Sequence, residues 1–547
     1  MSTRERFAEK EITKENHIFS RTRTTIESAF YGNNVVDVAS VEQAYRLAEK
    51  SSATIVTDLP IIHTKELGLP DDAKMIVDNH GEVVGRTAKA RRRIGLPESD
   101  DDKLDGVLRE AIYSARSRKF YKTDVVVGLD EEFMLKAHLA IAEGFEVNLL
   151  SYMLNFQFLN DEYEKRYENS KQYDEGDIYL YADPSWHDAA YPDGLVIIDA
   201  KHNAAAVLGL RYFGELKKAT LTLAWATAHR NGYAACHGGE KAFHFKDKDD
   251  KVFAFYGLSG SGKSTLTHAK HNGKFDITVL HDDAFVINRK DGSSIALEPS
   301  YFDKTNDYLP GTKETNYFTT VMNVGVTLDA DGKKVLVTED LRNGNGRTIK
   351  SRYASVNRVD REKAPITSIF WIMKDNSLPP VVKLEDPVTA ATFGVTLATK
   401  RSTAENVAKT ARDALVIEPF ADPFRAYLLS EDYADFKELF ENGVDCYIVN
   451  TADFNGRDID KNVTLKILED IATGADVWKP FGPLDNMSYM PLDGYALDFS
   501  DEEYKEELAS RFEIRRDWIE RYGETHPHAP LPEEITDCLN GMIKKIK

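Results

Sequence analysis

Apolar residues along this chain gather in short runs separated by polar stretches of helical period, and that alternation carries the first information about the fold. Lys251-Val252-Phe253-Ala254-Phe255-Tyr256 has the length and content of a short buried strand. Gly194 to Asp199, Ile277 to Leu280 and Cys446 to Asn450 read the same way. Ser264 to Lys270 can open a helix, and Tyr433 to Asn442 keeps helical spacing up to Gly443, which suits a left-handed cap. From about Asp501 onward the chain is charged and helical, with a Pro-rich break around Pro527 to Pro532. Strands alternating with helices predict an α/β architecture.

A chain of 547 residues is too long for one core and predicts two or three domains. Gly238-Gly239-Glu240-Lys241, followed by the charged run Lys246 to Lys251, is hairpin-like punctuation. A boundary placed there divides an N-terminal α/β domain, 1–240, from a C-terminal domain, 241–547. No internal repeat or low-complexity linker interrupts either part.

At 42% hydrophobic and 29% charged, the composition is that of an ordinary globular protein. The formal charge of −20 argues against nonspecific attraction to nucleic acid, so an anionic substrate must meet a focused cluster of cations. Three cysteines, Cys236, Cys446 and Cys538, are widely separated and suggest neither a disulfide framework nor a thiolate zinc site. A reducing cytosol fits best. The first ten residues mix both signs of charge, and no run of about eighteen apolar residues occurs, so neither a signal peptide nor a membrane span is expected.

The most specific chemistry follows the apolar run ending at Tyr256. Gly257-Leu258-Ser259-Gly260-Ser261-Gly262-Lys263-Ser264 fits G-x-x-x-x-G-K-[ST], with a strand before it and a helix after it. Glycines at 257, 260 and 262 let the backbone curl until its N–H groups face phosphates, and the helix N-terminus adds its positive end. Lys263 would reach the outer phosphates and Ser264 would bind magnesium. The strand-like run Ile277 to Leu280 ends at His281-Asp282-Asp283, a carboxylate pair of the Walker B kind. Adjacent side chains on an extended chain point to opposite sides, so the two aspartates could serve two different metals.

Upstream lie Arg211-Tyr212-Phe213-Gly214-Glu215-Leu216-Lys217-Lys218 and Tyr233-Ala234-Ala235-Cys236-His237. Taken alone, a double lysine is ordinarily a solvated surface and a lone histidine a structural residue. Their order relative to the phosphate loop and the paired aspartate resembles the ATP-dependent phosphoenolpyruvate carboxykinases. The resemblance extends through Glu298 and Lys304, Asn323-Val324, Ser351-Arg352-Tyr353, Leu378-Pro379-Pro380-Val381, Ile417-Glu418-Pro419, Tyr447 to Thr451 and Asn455-Gly456-Arg457, and covers roughly Arg86 to Leu468.

That resemblance implies a two-domain fold whose C-terminal domain binds the mononucleotide through the phosphate loop. It implies conversion of oxaloacetate and ATP to phosphoenolpyruvate, carbon dioxide and ADP, with Mg²⁺ and Mn²⁺ as cofactors. Lys218, His237 and Asp283 are then the ligands of a manganese-type ion, and Ser264 and Asp282 those of the nucleotide's magnesium. Arg86 would grip the substrate carboxylate, Tyr212 would sit at the carbon dioxide end, and Arg352 would neutralise phosphate and enolate. The loop residues Gly257, Ser259, Gly260, Ser261, Gly262, Lys263, Ser264 and Thr265 would hold the triphosphate, with Glu298, Lys304, Glu314 and Arg457 near the nucleotide. Small-molecule substrates are the only partners expected, in a cytoplasmic enzyme that favours the monomer. Two other readings keep the loop: a kinase of another carboxylate, and a nucleotide-binding regulator without turnover.

Departures from the family pattern concentrate at a few segments. The strand end reads His281-Asp282-Asp283-Ala284-Phe285-Val286-Ile287, keeping the aspartates and losing their neighbours, and Arg86-Thr87-Ala88-Lys89-Ala90-Arg91 and Phe420-Ala421-Asp422-Pro423-Phe424-Arg425 also differ. These are read as changes at specificity elements. Glu385 to Ser402 aligns with the family's lid-bearing region.

Overall fold

The computed structural model describes residues 2–52, 54–79, 87–97, 99–258, 260–339, 345–400 and 415–547. It is a mixed α/β structure of two compact units, one of Met1–Asn231 with Ala296–Val356, the other of Gly232–Ile295 with Asn357–Lys547. The single crossing expected at residue 240 is therefore replaced by three. The cause is strand pairing. Phe318–Met322 pairs in parallel with Lys74–Asp78, and Tyr301–Lys304 and Arg347–Lys350 extend the same five-stranded sheet. Residues 296–356 are thereby drawn into the first unit, with no change of composition at either end to announce it.

The first unit's larger sheet is built on Phe120–Asp130 and Phe133–Ala142, an antiparallel pair of long strands. It continues through Ile178–Asp183, Ala204–Leu208 and Leu195–Asp199 to the short basic strand Arg91–Arg93. Every residue of Leu195–Asp199 and Ala204–Leu208 is buried, which explains runs without polar alternation. The helix Phe213–Arg230 packs on this sheet and is buried from Phe213 to Ala228 except at Lys218.

The second unit is organised by an eight-stranded sheet whose middle strands, Lys251–Tyr256, Ile366–Met373 and Asp445–Asn450, run parallel. Its core gathers Phe243, Phe253, Phe255, Phe370, Tyr447 and Ile467. A parallel centre aligns three strand ends on one edge, the place where loops of α/β sheets bind ligands. A second sheet pairs Tyr233–His237 with Ala284–Asn288. Beyond Pro480 the chain ends in two helices, Glu502–Thr525 and Glu533–Ile546.

Candidate active site

The phosphate loop leaves the strand Lys251–Tyr256 at its carboxyl end and turns into the short helix Lys263–His268. Gly260 and Gly262 have φ of +80° and +105°, backbone that side chains resist. At Gly257 the need is space: an added Cβ would lie 2.5 Å from Ser261 Oγ and 3.0 Å from Ile372 Cβ. Lys263 is half-buried, while Ser264 and Thr265 are exposed on the first turn. Ser259 lies outside the described residues. The loop is tied down by Thr451, whose hydroxyl donates to the Ser261 carbonyl at 2.9 Å.

Asp282 and Asp283 end the strand Asp276–His281 and diverge as adjacent extended residues do. Asp282 turns to the phosphate-loop helix, where its carboxylate meets His268 Nε2 at 3.2 Å. His268 is one helical turn after Ser264, so hydroxyl and carboxylate belong to the same face, and hard oxygen donors of this kind suit Mg²⁺. Asp283 turns the other way, to His237 Nε2 at 3.0 Å. The register that pairs His237 with Ala284 sets this contact.

The protonation of His237 is dictated by its other nitrogen. Nδ1 lies 2.6 Å from the carbonyl of Ala421, which only accepts, so Nδ1 carries the hydrogen. Nε2 then faces a carboxylate oxygen, an arrangement that requires a positive charge in the form of a proton or a metal ion. Backbone orientation of a ligand imidazole is the usual support of a metal site. His237 and Asp283 therefore fit a divalent cation as two ligands. Among the described residues no group of three or more His, Cys, Asp or Glu side chains is placed to hold a metal ion.

Behind the loop, Lys241 is wholly buried and donates to the Leu266 carbonyl at 2.7 Å, holding the last turn of the phosphate-loop helix. Its Nζ also meets His271 Nε2 at 2.8 Å, and His271 Nδ1 meets Glu469 at 3.1 Å. Burial holds the Lys241 ammonium down to about 7. Burial and the facing ammonium hold His271 down to about 4. Thr451, His268, Ala421 and Lys241 were not among the residues expected from the sequence. His268 left a signal in its four-residue spacing from Ser264, Thr451 in the motif Tyr447 to Thr451, and Ala421 in the departing segment Phe420 to Arg425.

The remaining expected residues lie in the first unit. Tyr212 precedes the helix Phe213–Arg230, and its ring lies so close to Gly214 that an added Cβ would meet it at 2.3 Å and force it to shift. Burial pushes the Tyr212 hydroxyl up, opposed by the Arg347 guanidinium beside it. Lys217 and Lys218 diverge on the helix. Lys217 is buried against Glu298 at 2.9 Å, whereas Lys218 is half-buried with its ammonium 5.6 Å from the Trp225 ring centre. Glu298, expected near the nucleotide, is instead completely buried and also accepts from Asn155 at 2.7 Å.

Arg352 donates to Tyr163 Oη at 2.8 Å, Lys304 ends its strand half-buried, and Glu314 is exposed in the turn Lys313–Tyr317. Arg91 is spent on a bidentate contact with Glu215, at 2.8 and 3.1 Å. Arg86 lies outside the described residues. In the second unit, Arg457 is exposed, 4.8 Å over the Tyr495 ring, and donates to Asp493 O at 3.3 Å. The aligned lid segment is in part a packed helix, Pro387–Val395, buried from Thr389 to Val395, so that part is scaffold; residues 401 and 402 lie outside the described residues.

The family described as phosphoenolpyruvate carboxykinase, of the ATP type, matches residues 86–476. The chain is 26% identical over 233 residues to the glycosomal phosphoenolpyruvate carboxykinase (ATP) of Trypanosoma brucei brucei, covering 42% of this chain and 46% of that protein. It is 24% identical over 307 residues to the phosphoenolpyruvate carboxykinase (ATP) of Aeropyrum pernix, covering 53% and 60%. The Dictyostelium discoideum protein of the same name is 24% identical over 211 residues, covering 35% and 36%. The chain thus spans between 36% and 60% of the length of these curated relatives. No helix among the described residues is long and apolar enough to cross a membrane.

Proposed function

Because the chain belongs to the ATP-type phosphoenolpyruvate carboxykinase family, we propose that it converts oxaloacetate and ATP to phosphoenolpyruvate, carbon dioxide and ADP, reversibly. In this reading the bond to the departing carboxylate breaks and its electron pair stays behind as an enolate. The enolate oxygen takes the γ-phosphoryl group, and the bond to the β-phosphate oxygen breaks to release ADP. No covalent enzyme intermediate is required.

Both steps build or move negative charge, so the chain's contribution is preorganised positive charge. The backbone from Gly257 to Lys263 and the Lys263 ammonium cradle the β- and γ-phosphates, while Thr451 keeps that backbone in place. Arg86 holds the oxo acid's carboxylate, Arg352 faces the transferring phosphoryl and the enolate, and Tyr212 lies at the carboxylate that leaves. Lys304, Glu314 and Arg457 attend the nucleotide. Glu298 would act by holding Lys217 and Asn155 in place. Ser264 and Asp282 would hold Mg²⁺, and His237, Asp283 and Lys218, the last as the neutral amine, would hold Mn²⁺; bound there, such cations would supply Lewis-acid neutralisation.

The observation that carries the reading is in the second unit: the strand-end aspartates divide, Asp282 toward His268 on the helix that bears Ser264 and Asp283 toward Nε2 of His237. A simple phosphoryl-transfer site needs the first arrangement but not the second. The test is purified protein with oxaloacetate, ATP, Mg²⁺ and Mn²⁺, followed by phosphoenolpyruvate formation. Phosphorylation of some other carboxylate without loss of carbon dioxide, or ATP binding with no turnover on any oxo acid, would overturn it.

A further inference from the structure

Thr451, which holds the Ser261 carbonyl, is itself held: its N–H donates to Met373 O at 2.9 Å. Its neighbour Asn450, wholly buried, donates to the carbonyls of Asp375 at 2.9 Å, Leu378 at 2.7 Å and Asp453 at 3.0 Å. The turn that leaves the strand Ile366–Met373 is thus locked to the end of Asp445–Asn450, and through it to the phosphate loop.

The helix Glu502–Thr525 grips that turn along one face. Tyr504, Glu507, Arg511 and Arg515 follow the i, i+3, i+7, i+11 spacing that brings side chains into line. Tyr504 Oη donates to Ser377 O at 3.1 Å, and Glu507 accepts from Asn376 Nδ2 at 3.0 Å. Arg511 donates to Asn376 Oδ1 at 3.0 Å, and Arg515 meets Asp375 Oδ2 at 3.4 Å with both partners fully buried. A buried carboxylate tolerates its place only with such a cation. The helix lies beyond residue 476, where the family match ends.

We infer that the helix Glu502–Thr525 is a positioning element for the phosphate loop: its polar stripe fixes the 374–378 turn, and that turn fixes the Thr451 hydroxyl under Ser261. The inference rests on the nucleotide reading of the loop. Positioning matters because small misplacements of groups around a transferring phosphoryl cost rate and affinity steeply.

Arg515→Ala would strand Asp375 and jeopardise folding, so the test uses the half-buried Arg511→Met, with Thr451→Val at the loop end and the double variant. MgADP affinity is measured by calorimetry, and amide exchange by mass spectrometry on peptides covering 257–266, both on the full chain. Each single variant is expected to weaken MgADP about five-fold, the effect of one lost hydrogen bond, and to speed exchange in 257–266. The double variant should be no weaker than the worse single, because both act through one path. Arg511→Met that loosens residues 374–378 yet leaves MgADP affinity and loop exchange untouched overturns the inference, as do additive effects. Wild-type protein that binds MgADP but forms no phosphoenolpyruvate overturns the functional reading alone.

Discussion

Glu298 tests whether a residue expected to touch the nucleotide is instead part of the scaffold. Lys217 and Glu298 meet at 2.9 Å with side chains only 1% and 0% exposed, and Asn155 supplies a further donor to the carboxylate. Removing one member of such a pair leaves a buried charge without its partner, at a cost of about 3–5 kcal/mol. Replacing both with apolar groups removes the uncompensated charge and recovers most of that loss. Lys217→Met, Glu298→Gln and the double variant Lys217→Met/Glu298→Leu are compared by urea unfolding followed through Trp225, on the same helix as Lys217. At a denaturant slope of about 3 kcal/mol per molar, Lys217→Met should lower the midpoint by roughly 1–1.7 M. The double variant should lie well above that single variant, and MgADP affinity should stay within a factor of two among variants that remain folded. The reasoning is refuted if Lys217→Met leaves the midpoint unchanged, or if Glu298→Gln weakens MgADP without altering stability.

Three further outcomes are expected. His237→Asn should weaken Mn²⁺ binding, read from the free-ion paramagnetic resonance signal, by ten-fold or more while MgADP binds as before; equal Mn²⁺ affinity would remove His237 from the ligand set. His138 is pushed down by burial but more strongly up by Asp124 at 2.6 Å and Asp177 at 2.9 Å, to about 9 against an ordinary 6.5. The folded first unit therefore holds a proton that the unfolded chain releases. That unit's stability should be fully present below pH 6.5 and fall by about 3 kcal/mol as pH rises through 9, a slope that His138→Gln abolishes in urea titrations. Lys241 has the opposite sign, about 7 in the fold against 10.5, so the second unit should gain stability as pH rises from 7 to 10.5, and Lys241→Met should flatten that rise.

Local backbone logic was legible in the sequence. The run Lys251 to Tyr256 is a strand with those same ends, and the three loop glycines stand where positive φ or close packing demands them. The helix predicted from Tyr433 begins earlier, at Leu429, because Glu431 reaches back to cap Leu428. What remained hidden depends on distant partners. Nothing in residues 296–356 announces that they pair with a strand near residue 76, so the domain boundary misplaced them. Nothing in Gly-Gly-Glu-Lys at 238–241 announces that the lysine is buried under the phosphate-loop helix. A charged residue's role is set by whether its partner arrives in three dimensions, and Lys217 and Lys218 show two outcomes one residue apart.

Two of the segments that depart from the family pattern support groups around His237 and the paired aspartates. His281 is wholly buried, and its Nδ1 accepts from the backbone N–H groups of Asp283 and Ala284 at 3.1 and 3.2 Å. It braces the turn that aims the two aspartates apart. Phe420 and Ala421 both adopt positive φ, +53° and +55°, at a cost on the order of 1 kcal/mol or more each. Phe420 is held there by stacking on Phe436 at 4.5 Å, and Arg425 by Asp432 at 2.6 Å and the Pro419 carbonyl at 3.0 Å. What this strained turn delivers is the Ala421 carbonyl at His237. Residues at both places thus support the orientation of their neighbours, His281 that of the Asp283–Ala284 backbone and the 420–425 turn that of the His237 imidazole. Ala421→Gly follows as a discriminating change: it relaxes the left-handed backbone while leaving the carbonyl, so it should raise stability and preserve Mn²⁺ affinity. Loss of Mn²⁺ affinity in that variant would show that the strain, and not the carbonyl alone, sets the imidazole.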